Sequence, residues 1–175
     1  MQKLTLRDLC AISIFTAVTA VAAQISIPMP LGVPLTMQTF AVPLAGVVLG
    51  ARKGTLSALV YVLLGAVGAP VFAGFSGGLG VILSYTGGFI LSFPLMAMAA
   101  GLGADQKEKA WLWAGLVVGT AINFLCGMLY FAFLTSSSLP GAFAACVLPF
   151  LPGGAVKIVL AGIAGAKLKK ALRLS

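Results

Sequence analysis

Histidine is absent from this 175-residue chain, and only three residues, Asp8, Asp105 and Glu108, are acidic. Lipid-modifying and hydrolytic chemistry usually calls for paired carboxylates, histidine or a metal, so those absences argue against an enzyme. The three cysteines, Cys10, Cys126 and Cys146, show no CxxC spacing. Without histidine a zinc site is short of ligands, so they read as small apolar packing residues and no cofactor is expected. Charge of either sign is scarce, at 8% of residues, against roughly 25% in a soluble domain. A cytosolic globular enzyme, a disordered tail and a secreted scaffold are all excluded by that deficit.

What is present is apolar: 61% of the residues are hydrophobic. Turn residues and charges divide the chain into runs at Leu9–Ile27, Thr36–Ala51, Gly54–Ala69, Ser84–Gly103, Ala110–Leu134 and Gly154–Leu172. At about 20 residues per span, the expected architecture is all-α and integral to a membrane. It is a six-transmembrane-helix bundle forming a single membrane domain over residues 1–175. The second and third runs are short for a bilayer, and a tight hairpin at Arg52-Lys53-Gly54 avoids placing two bases in hydrocarbon.

The net charge of +8 does not indicate nucleic acid, because the bases fall in short clusters between apolar runs rather than on one polar face. Lys3, Arg7, Arg52, Lys53, Lys107, Lys109, Lys167, Lys169, Lys170 and Arg173 all fall on one side of a six-span bundle. The positive-inside rule then puts both termini in the cytoplasm of a multi-pass protein in a bacterial-type inner (plasma) membrane. An alternative is a secretory signal over residues 1–24, since Lys3 and Arg7 precede an apolar stretch ending in Ala20-Val21-Ala22. Cleavage there would leave five helices and the remaining topology unchanged.

The eleventh base is Lys157, near the start of the last run and far in sequence from any acid. Its ammonium must reach the outer headgroups, lose its proton, or meet an anion that is not part of the protein. Snorkelling and capture of a ligand carboxylate, with help from the helix N-terminus, are both open readings. The connections on that side are rich in Gly and Pro: Ser26–Pro34, Pro70–Gly80, Pro140-Gly141 and Pro149–Gly154. Such backbone persists near a membrane only where protein or water satisfies it; the loops form either a cavity wall or solvated turns. Asn123, mid-helix, needs a hydrogen-bond partner from a neighbouring helix or a ligand. Tyr85, with an aromatic body and a polar tip, suits a pocket wall.

Four segments carry a family resemblance: Val33-Pro-Leu-Thr-Met-Gln-Thr39, Pro70-Val-Phe-Ala-Gly-Phe-Ser-Gly-Gly-Leu-Gly80, Tyr85-Thr-Gly-Gly-Phe89 and Phe150-Leu-Pro-Gly-Gly-Ala-Val-Lys157. In order and spacing the chain resembles the BioY family, the substrate-binding (S) components of energy-coupling-factor (ECF) biotin transporters. The resemblance implies a six-helix S-component fold and high-affinity capture of biotin from outside the cell. It also implies membrane lipid around the chain and partnership with an ECF transmembrane coupling subunit and two ATPase subunits. No G-x-x-x-x-G-K-[ST] loop occurs in the chain, so ATP falls to a partner. On this resemblance Lys157 meets the biotin carboxylate, Gln38, Thr86 and Asn123 the ureido group, and Phe72, Phe75, Tyr85 and Phe89 the apolar rings and chain. Gly87 and Gly154 lie in the same motifs. The family's last motif usually reads Pro-Gly-Asp, whereas Gly154 stands at the acid's place. That departure leaves another carboxylate vitamin, such as dethiobiotin or lipoate, as the alternative ligand.

Overall fold

The computed structural model describes residues 4–29 and 32–172. Lys3 and Arg173, named above, and residues 30 and 31 of the Ser26–Pro34 connection lie outside the described residues. Within them the chain is mostly helical: α1 (Leu6–Gln24), α2 (Gln38–Leu49), α3 (Ala51–Ala66), α4 (Leu79–Ile82), α5 (Gly87–Leu91), α6 (Phe93–Ala104), α7 (Lys109–Thr135), α8 (Leu139–Cys146) and α9 (Leu151–Ala171). A two-residue antiparallel pair, β1 (Ser26–Ile27) with β2 (Leu35–Thr36), closes the connection between α1 and α2. Three stretches are long and apolar enough to cross a membrane by length and composition, namely Leu6–Gln24, Lys109–Thr135 and Leu139–Ala171.

The helices are apolar on all sides, and their outward faces stay exposed. Leu63 and Leu64 on α3, Val117, Val118 and Phe133 on α7, and Val156 and Ile163 on α9 all project from the bundle. Polar groups are packed inside, with Thr16, Thr19, Ser57, Thr120 and Asn123 all buried. This inversion is what a lipid solvent demands of a helix bundle. Between helices the packing uses small residues. A Cβ built on Gly46 of α2 would strike the backbone carbonyl of Ala97 on α6, so glycine there sets the distance between two helices.

The expected runs correspond to helices with shifted ends. The fourth run breaks at Ser92 into α5 and α6, and the last helix starts at Leu151, before Gly154. The α2–α3 turn falls on Gly50 and not on Arg52-Lys53-Gly54, because Gly50 adopts φ 81°, a conformation that glycine enters without penalty. Arg52 and Lys53 open α3 instead. The Ala51 N–H donates to the Asp105 carboxylate at 3.0 Å, which caps the new helix at an orphan donor.

Ionic contacts tie one end of the bundle together. Lys53 pairs with Asp8 at 2.6 Å and Lys169 with Asp105 at 2.9 Å, while the Arg7 guanidinium donates to the Leu172 carbonyl at 2.9 Å. The starts of α1 and α3 and the ends of α6 and α9 therefore meet at this basic end. Replacing Gly46 with Ala should force α2 and α6 apart at a cost of about 1–3 kcal/mol, read as a lower thermal midpoint in detergent. Gly80→Ala, with no atom near its Cβ position, should leave the midpoint within error.

Candidate functional site

At the other end, the polar start of α2 meets the start of α9. β2 delivers Thr36, and Met37 then leads into α2, so Gln38 and Thr39 occupy the first turn. Pro43 inside α2 has no N–H to offer the Thr39 carbonyl, which keeps this turn rich in acceptors. Lys157 sits in the second turn of α9 and is only 7% exposed. Its Nζ donates to the Thr36 carbonyl at 2.6 Å and to Thr39 Oγ1 at 3.0 Å.

Both partners are neutral oxygens. An ammonium carries three donors, so one remains after those two bonds. Two of the three acids are paired at the basic end, and Glu108 precedes α7 at that same end. Among the described residues no carboxylate pairs with Lys157. From Lys157 to Lys169, α9 rises about 18 Å, so the acids are far out of reach.

A chain of hydrogen bonds fixes the neighbours of this cation. Thr36 Oγ1 donates to Gln38 Oε1 at 2.7 Å, Gln38 Nε2 donates to Tyr61 Oη at 2.6 Å, and Tyr61 Oη donates to the Val71 carbonyl at 2.9 Å. Tyr61 is fully buried. The Gln38 amide is held rigid at both ends and retains one N–H and one lone pair for another group.

These residues line a cavity of about 310 Å³, at the small end of the range for small-molecule pockets, roughly 300–1,000 Å³. The segment Gly32–Thr36 forms one wall. Phe72, Ala73 and Ser76 form a second, and side chains of α4 to α6 a third. Phe72, Phe89, Phe93, Phe124 and Phe150 supply aromatic surface, and Lys157 is the one ionisable group on the wall among the described residues. The arrangement offers an apolar slot, a fixed carboxamide and one unneutralised cation. That set can hold a flat apolar ligand ending in an anion.

Of the residues singled out in the sequence, Lys157, Gly154, Gln38, Thr86, Phe72 and Phe89 are on the wall. Thr86 Oγ1 lies 3.1 Å from Ser84 Oγ. A Cβ on Gly154 would meet the Phe124 ring at 3.3 Å. The other four lie off the wall. Tyr85 is 46% exposed and its ring packs 5.7 Å from that of Phe131. Gly87 sits where a side chain would strike the Ile82 carbonyl. Phe75 is 73% exposed on a 3-10 turn, Ala73–Phe75, and its N–H donates to Gln24 Oε1 at 2.9 Å. Asn123 is buried, and its Nδ2 donates to the Phe89 carbonyl at 2.9 Å and to Ser92 Oγ at 2.8 Å.

Thr36 and Thr39, which hold Lys157, stand out in sequence only as polar groups among apolar ones. Their spacing around Gln38, just where a helix begins, is the signal that points to them. Phe124 and Phe150 carry no such signal, since a phenylalanine facing a cavity and one facing lipid look alike in a sequence.

Comparison with known proteins gives a consistent set of relatives. The model of the BioY family matches residues 1–174. A "Biotin transporter BioY" of Thermotoga maritima is 41% identical, over 94% of this chain and 97% of its own. A "Probable biotin transporter BioY" of Pyrococcus horikoshii is 43% identical, over 71% of this chain and 85% of its own. The crystal structure of an S-component for biotin from an ECF-type ABC transporter superposes with a TM-score of 0.86, covering 96% of this chain and 95% of that one at 22% identity. That likeness establishes the shared fold.

The hydrogen bonds of Asn123 make it a brace between α7 and the α5–α6 break. Asn123→Leu should therefore lower the thermal midpoint by the equivalent of about 1–3 kcal/mol in protein without ligand, measured by unfolding in detergent.

Proposed function

This chain belongs to the BioY family, and from that membership we propose that it captures biotin outside the cell and holds it in the cavity at Lys157. The family is one of transporters, not enzymes. The relatives described above carry biotin in their names, and none gives support to dethiobiotin or lipoate. The single observation that carries the reading is the buried Lys157 ammonium, bonded to two neutral oxygens at the edge of an apolar cavity. A monocarboxylate completes its coordination and supplies the missing charge, while the phenylalanine walls cover the rings and the Gln38 amide and Thr86 hydroxyl face the ureido group.

The topology that suits this function has six spans, with both termini and the basic end in the cytoplasm. Clustering of the bases at the end opposite the cavity supports that orientation. The chain then works as the S component of an ECF transporter in the plasma membrane, with a coupling subunit and two ATPase subunits supplying the power stroke. Ser13 and Ala17 are exposed on α1, four residues apart, and small residues at that spacing let another helix approach closely.

Gly154 tunes the charge of the site. It lies one turn before Lys157 on the same face of α9, and with no acid there the cation is free for the ligand. Purified protein should bind biotin about 100-fold more tightly than biotin methyl ester, the scale expected when one partner of a buried charge pair is removed. Lys157→Met should abolish that preference while leaving ester binding nearly intact, as read by calorimetry. Should Lys157→Met bind biotin as the parent does, the carboxylate is not at Lys157. In the same assay Gly154→Asp should shrink the acid-over-ester preference, because its carboxylate competes for the ammonium.

A further inference from the structure

A second concave site lies at the basic end, between the turn after α6, the start of α7 and the last turns of α9. It is an open groove of about 540 Å³ whose rim carries Lys107, Lys109, Lys169 and Lys170 against a single acid, Glu108. Its floor is apolar, with Val47, Leu112 and Ala166 contributing. Lys169 is already engaged, donating to the Ala104 carbonyl at 3.0 Å and pairing with Asp105 at 2.9 Å. Lys107, Lys109 and Lys170 form no ion pair among the described residues. Ammonium groups gathered on one rim repel one another, and an anion between them removes the repulsion.

Two further features set the chemistry of that anion. The N-cap of α7, Glu108, makes no side-chain capping bond; its carbonyl accepts from the Trp111 N–H at 3.2 Å, and the start of this 27-residue helix, with its partial positive charge, borders the groove through Glu108, Lys109 and Leu112. The chain's two tryptophans, Trp111 and Trp113, follow within the first turns of α7 and are 56% and 37% exposed. Exposed tryptophan in a membrane protein marks the headgroup level. Below them, Val117 and Val118 face outward, as surfaces against acyl chains do. The groove therefore sits where phosphate gives way to hydrocarbon, with cations at the rim and apolar surface underneath.

We propose that this groove binds the phosphate of an anionic phospholipid, with its glycerol and first acyl carbons against the apolar floor. Free phosphate shares the headgroup chemistry, but it makes no use of the apolar floor or of the tryptophan level. The site is separate from the cavity at Lys157 and does not depend on what that cavity holds.

Lipid retention by the purified full chain tests this, with phosphatidylglycerol and phosphatidylcholine of identical acyl chains offered in competition and bound lipid counted by native mass spectrometry. The parent protein should retain phosphatidylglycerol preferentially, and added salt should weaken the preference. Combined Lys107→Gln, Lys109→Gln and Lys170→Gln should reduce phosphatidylglycerol affinity by about fivefold per lysine removed, with phosphatidylcholine retention and biotin binding unchanged. Single variants carry the same test should the triple variant lose biotin binding and hence its fold. An undiminished preference in the variants overturns the proposal. Displacement of the lipid by glycerol 3-phosphate at equal concentration also overturns it, since the groove would then be a site for soluble phosphate.

Discussion

One buried cation organises the cavity end of this protein. Lys157 stands in the second turn of α9 with hydrogen bonds to the Thr36 carbonyl and the Thr39 hydroxyl and no carboxylate among the described residues. An ammonium taken from water is costly unless its charge is met. Two neutral oxygens satisfy its donors in part and leave its charge unanswered. Asp8 and Asp105 are committed to Lys53 and Lys169 at the opposite end, and Glu108 also lies there. Among the described residues the molecule thus separates its charges lengthwise, with the ion pairs at the basic end and a cation without a carboxylate partner at the cavity.

The surrounding structure keeps that cation in place without neutralising it. The β1–β2 pair positions Thr36, the α2 start positions Thr39, and the Gln38–Tyr61–Val71 chain ties both to the loop that carries Phe72. Every link is between uncharged groups, so the network stiffens the wall and leaves the electrostatic demand intact. A pocket that is apolar apart from a few converging polar groups gains orientation from those groups and affinity from the rest. Biotin, with fused rings, a ureido group and a carboxylate, matches that division of labour.

The basic end follows the opposite logic. There, cations outnumber acids on an exposed rim, and the unpaired lysines surround a groove rather than a sealed pocket. The cavity proposed for biotin and the groove proposed for a phospholipid lie at separate ends of the bundle, and α9 joins them most directly, since it carries Lys157 near its start and Lys169 and Lys170 in its last turn.

Composition and charge placement were enough to read a helical membrane protein, because a bilayer penalises charge and unpaired backbone so heavily that the pattern survives in any fold. Lys157 was legible for the same reason: a base far from any acid in an apolar run has few physical options. Gln38, Thr86 and Gly154 came from motif likeness, and they do share a wall with it. What the linear chain could not decide was which polar or aromatic groups face one another. Asn123 and Gly87 serve helix contacts, Tyr85 and Phe75 lie outside the cavity, and Thr36, Thr39, Phe124 and Phe150 lie on its wall, all matters of helix rotation and register. In an all-apolar helix the side toward lipid and the side toward the interior have the same composition, so only the packing of neighbours, down to the closeness that Gly46 and Gly50 permit, assigns each face its role.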